Sequence, residues 1–343
     1  MTWIKYNSLK EVPISLWQKI GTNNPCLSYE FMDIVESMHP NDHFCYAILY
    51  DGGNIEGIAF YYIFNALPSV FSHVSVGKIL MTGTFETYGR HYWFDDNLIN
   101  EHAFLEQVWL LIKKEKVLAY IIRDYVTNKF AISSFFYDNG FVHIKPYAVS
   151  LIKIPDNCSG LDDYLHLSLT KKHRNTYKRL LRERSIQNTS LGLEYDFDTN
   201  IERLYRLYLN VNKKANEFKS SPIPQTFFIS LKRKFGKNCF CIVMKNCKND
   251  IVGFVLVIQN NYMMIPFLMG IDYNYRSLHI WHNLTLECIK YAIDNQIKEI
   301  DLGLTNYELK KRLGAKKYDI NMLARFRSNI INRYFNFALS KLI

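Results

Sequence analysis

Three adjacent cations, Lys310, Lys311 and Arg312, lie in a short stretch whose residue types suit the binding of an anion. The stretch reads DLGLTNYELKKRLGA and spans Asp301–Ala315. Five cations and no acid fall within Lys310–Lys317. Because a local excess of positive charge attracts anionic ligands, this stretch predicts an anion-binding site.

A second basic segment, KKHRNTYKRLLRER, carries seven cations against Glu183. It predicts one helix from about Asp162 to Arg184. That helix would bury Leu169, Tyr177, Leu180 and Leu181 and expose Lys171, Lys172, Arg174 and Lys178. One interpretation is a groove between domains for a long polyanion, such as the nucleotide part of coenzyme A, a carrier protein or tRNA. The other is a solvated basic face. No RNA-binding signature accompanies the segment, and nothing indicates a DNA partner.

The whole chain has a formal net charge of +10, and the two basic stretches account for this excess. A length of 343 residues suggests two domains. No apolar run reaches the length of a membrane span, and the start MTWIKYNSLKEVP lacks signal-peptide features, so a cytoplasmic protein is expected. The seven cysteines show no C-x-x-C spacing, which favours buried thiols over a metal site.

A repeat links the two halves of the chain. When Leu27–Ile63 is aligned without gaps to Ile223–Gln259, several identical pairs coincide. The pairs are Phe31 with Phe227, Phe44 with Phe240, Cys45 with Cys241, Ile55 with Ile251 and Gly57 with Gly253. Each copy reads as a helix, a strand, a polar turn and a second strand, which predicts a duplicated domain.

The second copy predicts a complete order of elements. Helical patterns cover about Ile201–Phe218, Pro224–Phe235 and Leu278–Asn295, with a short helix in NYELKKRLGA. Predicted strands are Cys239–Met244, Ile251–Ile258, Tyr262–Ile271, IKEIDLG and Asn321–Arg327. Helices therefore alternate with strands along the chain, and the strands would form a mixed, mostly antiparallel sheet. This order indicates an α/β (α+β) fold.

This order resembles the GNAT acyltransferase fold. NPCLSYEFMDIVE, LSLTKKHRNTYKRLLRE and GIDYNYRSLHIWHNLTLECIKYAIDNQIKEIDLGLTNYELKKRLGA carry the resemblance, which spans nearly the whole chain. More specifically, the chain is similar to the Fem-like and cellulose-biosynthesis-associated acyltransferases, in which two GNAT domains are fused. The expected boundaries are 1–155 for the first domain, 156–190 for the basic junction helix and 191–343 for the second domain.

The resemblance implies a donor site where a strand diverges from its neighbour before the long helix. Backbone N–H groups at a helix start favour a phosphate, which makes Arg276, Ser277 and Leu278 the expected donor-binding residues. Glycine, common in such loops, is absent from YRSLHIW.

The resemblance also implies a role for the stretch described first. Tyr307 would act as general acid, and Lys310, Lys311 or Arg312 would contact the donor phosphate or the reacting carbonyl. His279 would take a proton from the attacking amine. Asp301 would serve as a base or an orienting group, although capping of the next turn explains it equally well. The two lysines are expected to be exposed, so replacing both would leave the fold intact.

The expected activity is transfer of an acyl group from a thioester, acyl-CoA or an acyl carrier protein, to an amine, without a permanent cofactor or metal. The acceptor would be a small molecule, a lipid or a cell-wall precursor. A Fem-type transferase that uses aminoacyl-tRNA is the alternative, favoured by the basic junction and the glycine-free loop. A non-catalytic binding module is a third interpretation. The aromatic C-terminal segment RYFNFALSKLI is compatible with peripheral membrane contact or with packing on the protein.

Overall fold

The computed structural model describes residues 1–66, 77–87, 89–126, 135–215 and 222–339. The chain forms two compact units. Unit 1 consists of Met1–Tyr147 with Asp319–Ile343, and unit 2 consists of Ala148–Tyr318. Residues 191–343 are expected from the sequence to form one domain, whereas Asp319–Ile343 belongs to unit 1. The basic segment 156–190 is expected to form a separate junction, whereas it belongs to unit 2.

Thirteen strands are present in the described part of the chain, and helices lie between several of them. They are β1 (Thr2–Tyr6), β2 (His43–Asp51), β3 (Asn54–Asn65), β4 (Lys78–Thr82), β5 (Tyr92–Phe94), β6 (Ala119–Val126), β7 (Val142–Lys153), β8 (Ser190–Glu194), β9 (Cys239–Lys245), β10 (Ile251–Gln259), β11 (Met263–Ile271), β12 (Glu299–Asp301) and β13 (Lys316–Phe326). Both units contain parallel and antiparallel strand pairs. The order is β1-β2-β3-β4-β6-β13 in unit 1, with β5 beside β3, and β7-β12-β11-β10-β9-β8 in unit 2.

Helices flank both sheets. They are α1 (Ile14–Gly21), α2 (Tyr29–Met38), α3 (Glu101–Ile112), α4 (Leu161–Ser168), α5 (Lys171–Ile186), α6 (Ile201–Lys214), α7 (Gln225–Phe235), α8 (Ile280–Asp294), α9 (Tyr307–Lys311) and α10 (Asn329–Leu339). None of the helices in the described part of the chain combines the length and the apolar character needed to cross a bilayer.

The predicted duplication is confirmed: two equivalent glycines allow the same close packing of a helix on the sheet in each unit. A Cβ atom on Gly57 would lie 2.2 Å from a ring carbon of Phe104, which is on α3. A Cβ atom on Gly253 would lie 2.2 Å from the side chain of Ile280, which is on α8. Both distances are far below van der Waals contact, so only glycine lets the long helix of each unit pack this closely on the sheet.

Most predicted elements of unit 2 are confirmed to within a few residues. The helix predicted over Ile201–Phe218 ends at Lys214, and residues 216–218 lie outside the described residues. The prediction of a single helix over Asp162–Arg184 is wrong, because α4 ends at Ser168 and a separate helix, α5, begins at Lys171. The Thr170 hydroxyl accepts a hydrogen bond from the backbone N–H of His173, and this cap starts a new helix.

The apolar sides of α4 and α5 are part of the core of unit 2. Tyr164, Tyr177 and Leu180 are buried with residues of α8 and the sheet. The Tyr164 hydroxyl donates a hydrogen bond of 2.7 Å to the carbonyl of Leu313, just after α9. The basic segment therefore forms an integral layer of unit 2 and lies against the elements that carry the predicted site.

Candidate functional site

The parallel strands β11 and β12 of unit 2 diverge soon after they meet. They pair only at Met263 with Glu299 and at Met264 with Ile300. β11 continues to Ile271, whereas β12 ends at Asp301. Beyond the pairing, the edge of β11 that faces away from β10 has no strand partner among the described residues. Parallel strands that separate towards their carboxyl ends create a crevice, and open α/β sheets bind ligands there.

The equivalent place in unit 1 is closed. β4 and β6 pair from Ile79 to Met81, and beyond that pairing the backbone N–H of Arg123 donates a 3.0 Å hydrogen bond to the Thr82 hydroxyl. The Arg123 guanidinium also donates to the carbonyl of Thr84. The two strands thus remain tied to each other where their counterparts in unit 2 separate.

Buried polar residues fill the space behind this tie. Thr84, Thr87 and His91 are all almost completely buried. The Thr87 hydroxyl lies 3.2 Å from Nε2 of His91. Burial, together with the nearby charge of Arg123, lowers the pKa of His91 to about 3, so this histidine is neutral at pH 7. The crevice is therefore closed in unit 1 and open in unit 2.

The start of α8 borders the crevice of unit 2. The chain leaves β11 through a turn of 3-10 helix at Tyr273–Leu278 and enters α8 at His279 in the left-handed conformation, with φ 48° and ψ 42°. No side chain caps α8, so its first N–H groups point outwards without an intrahelical acceptor. The glycine-free loop therefore makes its left-handed turn with a histidine.

The predicted donor-binding residues of this loop differ in exposure. Arg276 and Ser277 are exposed, and Leu278 is buried in the core of unit 2. The carbonyl of Ser277 accepts a 3.4 Å hydrogen bond from the side-chain amide of Gln187, which follows α5. The loop therefore offers Arg276 and backbone groups, while Leu278 anchors it.

Two histidines lie in the first turn of α8 beside α5 and α9. Nε2 of His279 is 3.8 Å from a carboxylate oxygen of Glu183, and the rings of His279 and His282 are 6.2 Å apart. Burial, followed by the charges of His279 and Arg312, lowers the pKa of His282. Burial raises the pKa of the neighbouring Tyr177 to about 12. A largely neutral imidazole at His282 is a competent proton acceptor at pH 7.

No metal site is supported at the two histidines. No group of three or more His, Cys, Asp or Glu side chains with metal-binding geometry occurs in the part of the chain that the structure describes.

The loop between β12 and α9 is held from both sides. The Asp301 carboxylate accepts a 2.7 Å hydrogen bond from the backbone N–H of Gly303. Lys310, only 6% exposed, donates from its ammonium group to the carbonyls of Gly303, at 3.1 Å, and Leu304. The expectation that Lys310 is exposed is therefore wrong. Lys310 lies on the inner side of the one-turn helix α9, so its side chain points back towards the loop that precedes the helix.

Three residues of this loop have positive φ angles: Gly303, Thr305 and Asn306. A β-branched residue such as Thr305 rarely adopts the left-handed region, and such conformations persist where the surroundings enforce them. The contacts of Asp301 and Lys310 provide that enforcement.

Tyr307 begins α9 directly after the strained loop. Its hydroxyl accepts a 3.2 Å hydrogen bond from the backbone N–H of Ala148, in β7. Since that bond uses an oxygen lone pair, the hydroxyl proton is available to another acceptor. The ammonium of Lys317 lies 5.4 Å from the centre of the Tyr307 ring. The hydrogen bond from Ala148 thus fixes the position of the phenol and does not use its O–H.

The remaining predicted cations are on the surface of unit 2. Lys311 and Arg312 are exposed, and Arg312 acts electrostatically on both His282 and Tyr177. Of the residues predicted to bind a polyanion, Lys171 and Lys172 are exposed and Arg174 is half-buried. The ammonium of Lys178 is 2.8 Å from Asp162, within unit 2.

The structure thus collects the predicted residues into two groups. His279 and Arg312 lie near His282 at the start of α8, and Asp301, Lys310 and Tyr307 surround the loop after β12. Sequence reasoning missed Ala148 and Glu183. Gly303 and Asn306, which favour left-handed turns, were a signal for the loop conformation, whereas the contact with Ala148 has no local signal.

Comparisons with known proteins agree with this architecture. Residues 171–311 match the family described as "Acetyltransferase (GNAT) domain". No curated protein matches the sequence.

Several solved structures share the fold at low sequence identity. FemX is 12% identical, with a TM-score of 0.64 and coverage of 94% of this chain and 97% of that one. A tandem GNAT protein from the clavulanic acid biosynthesis pathway is 9% identical, with a TM-score of 0.53 and coverage of 95% and 98%. L-PGS from Bacillus licheniformis is 11% identical, with a TM-score of 0.52 and coverage of 83% and 84%. The chain therefore has a mixed α/β fold of two GNAT-like units.

Proposed function

We propose that the protein is an N-acyltransferase that moves an acyl group from a thioester to an amine in the crevice of unit 2. The observation that carries the proposal is the divergence of β11 from β12 beside the uncapped start of α8. The family match, which covers residues 171–311, includes all of these elements.

The donor would bind along the open edge of β11. Unpaired strand-edge N–H and C=O groups can pair with the amide groups of an extended ligand, as in strand addition. The arm of coenzyme A and the arm of an acyl carrier protein both contain two such amides. Phosphate groups would then reach the first turn of α8, where N–H groups and Arg276 favour negative charge.

The chemistry requires a proton acceptor and a proton donor. When the amine attacks the thioester carbonyl, a C–N bond forms and the amine loses a proton, which His279 or His282 would accept. When the tetrahedral intermediate collapses, the C–S bond breaks and the thiolate gains a proton from Tyr307. Asp301 and Lys310 would act by holding the loop that places Tyr307.

Donor binding and turnover test this proposal together. Acyl-CoAs of several chain lengths are titrated by calorimetry into the full chain, and release of free thiol is followed with a panel of amines. We expect saturable binding that weakens in Arg276→Gln and turnover that falls about 100-fold in Tyr307→Phe at unchanged donor affinity. The matched control is Tyr92→Phe in unit 1, which should turn over like the unchanged protein. Absence of binding by every acyl-CoA would contradict the thioester assignment.

A donor attached to tRNA is the second candidate. The overall likeness to FemX and the exposed Lys171 and Lys172 on α5 favour it. In that case charged tRNA would bind with a steep salt dependence, and Lys171→Gln with Lys172→Gln would reduce the slope by about 2. Binding of acyl-CoA alone would exclude this donor. We also propose that the chain belongs to the cellulose-biosynthesis-associated group. The amine acceptor would be a small molecule, a lipid or a cell-wall precursor.

A further inference from the structure

Helix α10 presents an apolar face to solvent in unit 1. Ile330 and Tyr334 are 70% and 73% exposed, and Ile331 is 45% exposed. Large apolar side chains this exposed on one short helix are not explained by packing within the chain.

Polar and aromatic contacts on the opposite side fix the orientation of α10. The buried side chain of Asn332 donates a 2.8 Å hydrogen bond to the carbonyl of Gly140 and accepts a 2.9 Å hydrogen bond from the backbone N–H of Phe326. The Phe335 ring packs on that of Phe326, with centroids 4.9 Å apart. Because helical residues advance by about 100° each, Ile330 and Tyr334 lie roughly opposite Asn332. Their exposure is therefore a consequence of how the helix is anchored.

Positive charge surrounds this face. From Arg327 to the end of the sequence there are three cations and no acid, and both Arg327 and Arg333 are exposed. The backbone N–H of Arg327 bonds to the carbonyl of Leu118, an exposed leucine whose own N–H bonds to the carbonyl of Lys78. Four more exposed lysines occupy this rim of unit 1: Lys78, Lys113, Lys114 and Lys116.

Glu115, an acid on this rim, is paired with a cation. Glu115 makes a 2.7 Å ion pair with Lys5 and accepts a hydrogen bond from the Tyr61 hydroxyl. Six exposed cations outnumber the exposed Asp138, which lies two residues before Gly140, so the net charge around exposed Leu118, Ile330, Ile331 and Tyr334 is positive.

We propose that α10 and the adjoining lysine rim bind the surface of an anionic lipid bilayer. Apolar side chains on one face of a helix, flanked by cations, have the chemistry of an interfacial helix: the apolar groups enter the headgroup region and the cations contact lipid phosphates. The charge distinguishes this occupant from a second copy of the chain, since two copies would bring like charges together. The inference does not depend on the acyltransferase proposal.

Vesicle co-sedimentation tests the inference. The full chain is mixed with vesicles of phosphatidylcholine alone or of phosphatidylcholine enriched in phosphatidylglycerol, at low and high salt. The face variant is Ile330→Asn with Tyr334→Ser, and the charge variant is Arg327→Gln with Arg333→Gln. The control is Ile14→Asn, which removes a similarly exposed isoleucine, 53% exposed, at the start of α1. Thermal denaturation of each variant checks that the fold is retained.

We expect binding to anionic vesicles only, weakened by salt. It should fall at least tenfold in the face variant, about 30-fold in the charge variant and not at all in the control. Absence of vesicle binding by the unchanged protein, or equal binding by the face and control variants, would overturn the inference. Self-association that disappears in the face variant, without vesicle binding, would assign the face to a second copy and would also overturn it.

Discussion

Replacement of Lys310 by alanine should destabilise the protein, whereas the same change at Lys311 should not. The ammonium of Lys310 donates to two carbonyls of a loop that contains left-handed residues. The Lys310 side chain is buried, whereas Lys311 is exposed. The two neighbours thus form a matched pair that differs in burial and not in residue type.

The magnitude follows from the contacts that are lost. A hydrogen bond to a charged group contributes about 1.5–3 kcal/mol, and the cost of burying the ammonium offsets part of the two bonds. Loss of the packed aliphatic stem adds to the effect. We therefore expect Lys310→Ala to lower the free energy of unfolding by about 2–4 kcal/mol and Lys311→Ala to lower it by less than about 0.5 kcal/mol.

Thermal denaturation of the full chain is the assay. For a unit of this size a change of 1 kcal/mol shifts the melting temperature by about 2–4 °C, so Lys310→Ala should lower it by about 5–15 °C. Lys310→Met keeps most of the stem and removes the donor group, and it should retain part of the lost stability. If this variant still binds donor, its turnover should fall more than its affinity, because the loop places Tyr307.

A melting temperature for Lys310→Ala within about 1 °C of the unchanged protein would refute this reasoning. It would mean that the carbonyl contacts of Lys310 do not stabilise the loop. Equal destabilisation by the two alanine variants would contradict it as well, because Lys311 lacks the burial on which the difference rests.

Three further predictions concern the rest of the fold. His279→Gly should be about 1 kcal/mol more stable than His279→Ala in urea denaturation, because glycine adopts the left-handed region without strain; equal stability would contradict the assigned backbone conformation. Gly253→Ala and Gly57→Ala should each cost at least about 1–3 kcal/mol by collision with Ile280 and Phe104, whereas Gly192→Ala, with open space around its Cβ, should cost little. The pKa of His91 is about 3 in the fold and 6.5 as the ordinary value, so the unfolded chain binds the extra proton between these pH values. Stability should therefore fall as the pH drops from 6.5 towards 3, by up to about 1.4 kcal/mol per unit, and His91→Gln should reduce that slope; an unchanged slope would show that His91 is not the group responsible.

The order of elements in unit 2 was predictable because each element has a strong local pattern. The strand Ile251–Gln259 is apolar at nearly every position since both of its faces are buried, and α8 carries its apolar residues at helical spacing. The identical Gly57 and Gly253 made the repeat visible for a packing reason that the structure supplies.

Features that depend on distant partners could not be predicted from the sequence. Nothing near Lys310 distinguishes it from Lys311, because its burial depends on the direction in which the short helix points it. The bond between Tyr307 and Ala148 joins residues far apart in the sequence. The break between α4 and α5 is a local feature, and Thr170 before a run of helix-favouring residues was a usable signal for it.

The assignment of Asp319–Ile343 to unit 1 has a consequence for how the protein is made. Strand β13 pairs with β6 from Ile320 to Phe326, so the sheet of unit 1 gains this strand from the end of the chain. Domains usually fold in the order in which they leave the ribosome. Here unit 1 must wait, with the edge of β6 uncovered, until Ile320–Phe326 have been synthesised. Unit 2 can be complete earlier, and translation that stops before Ile320 would remove a strand from the unit whose synthesis began first.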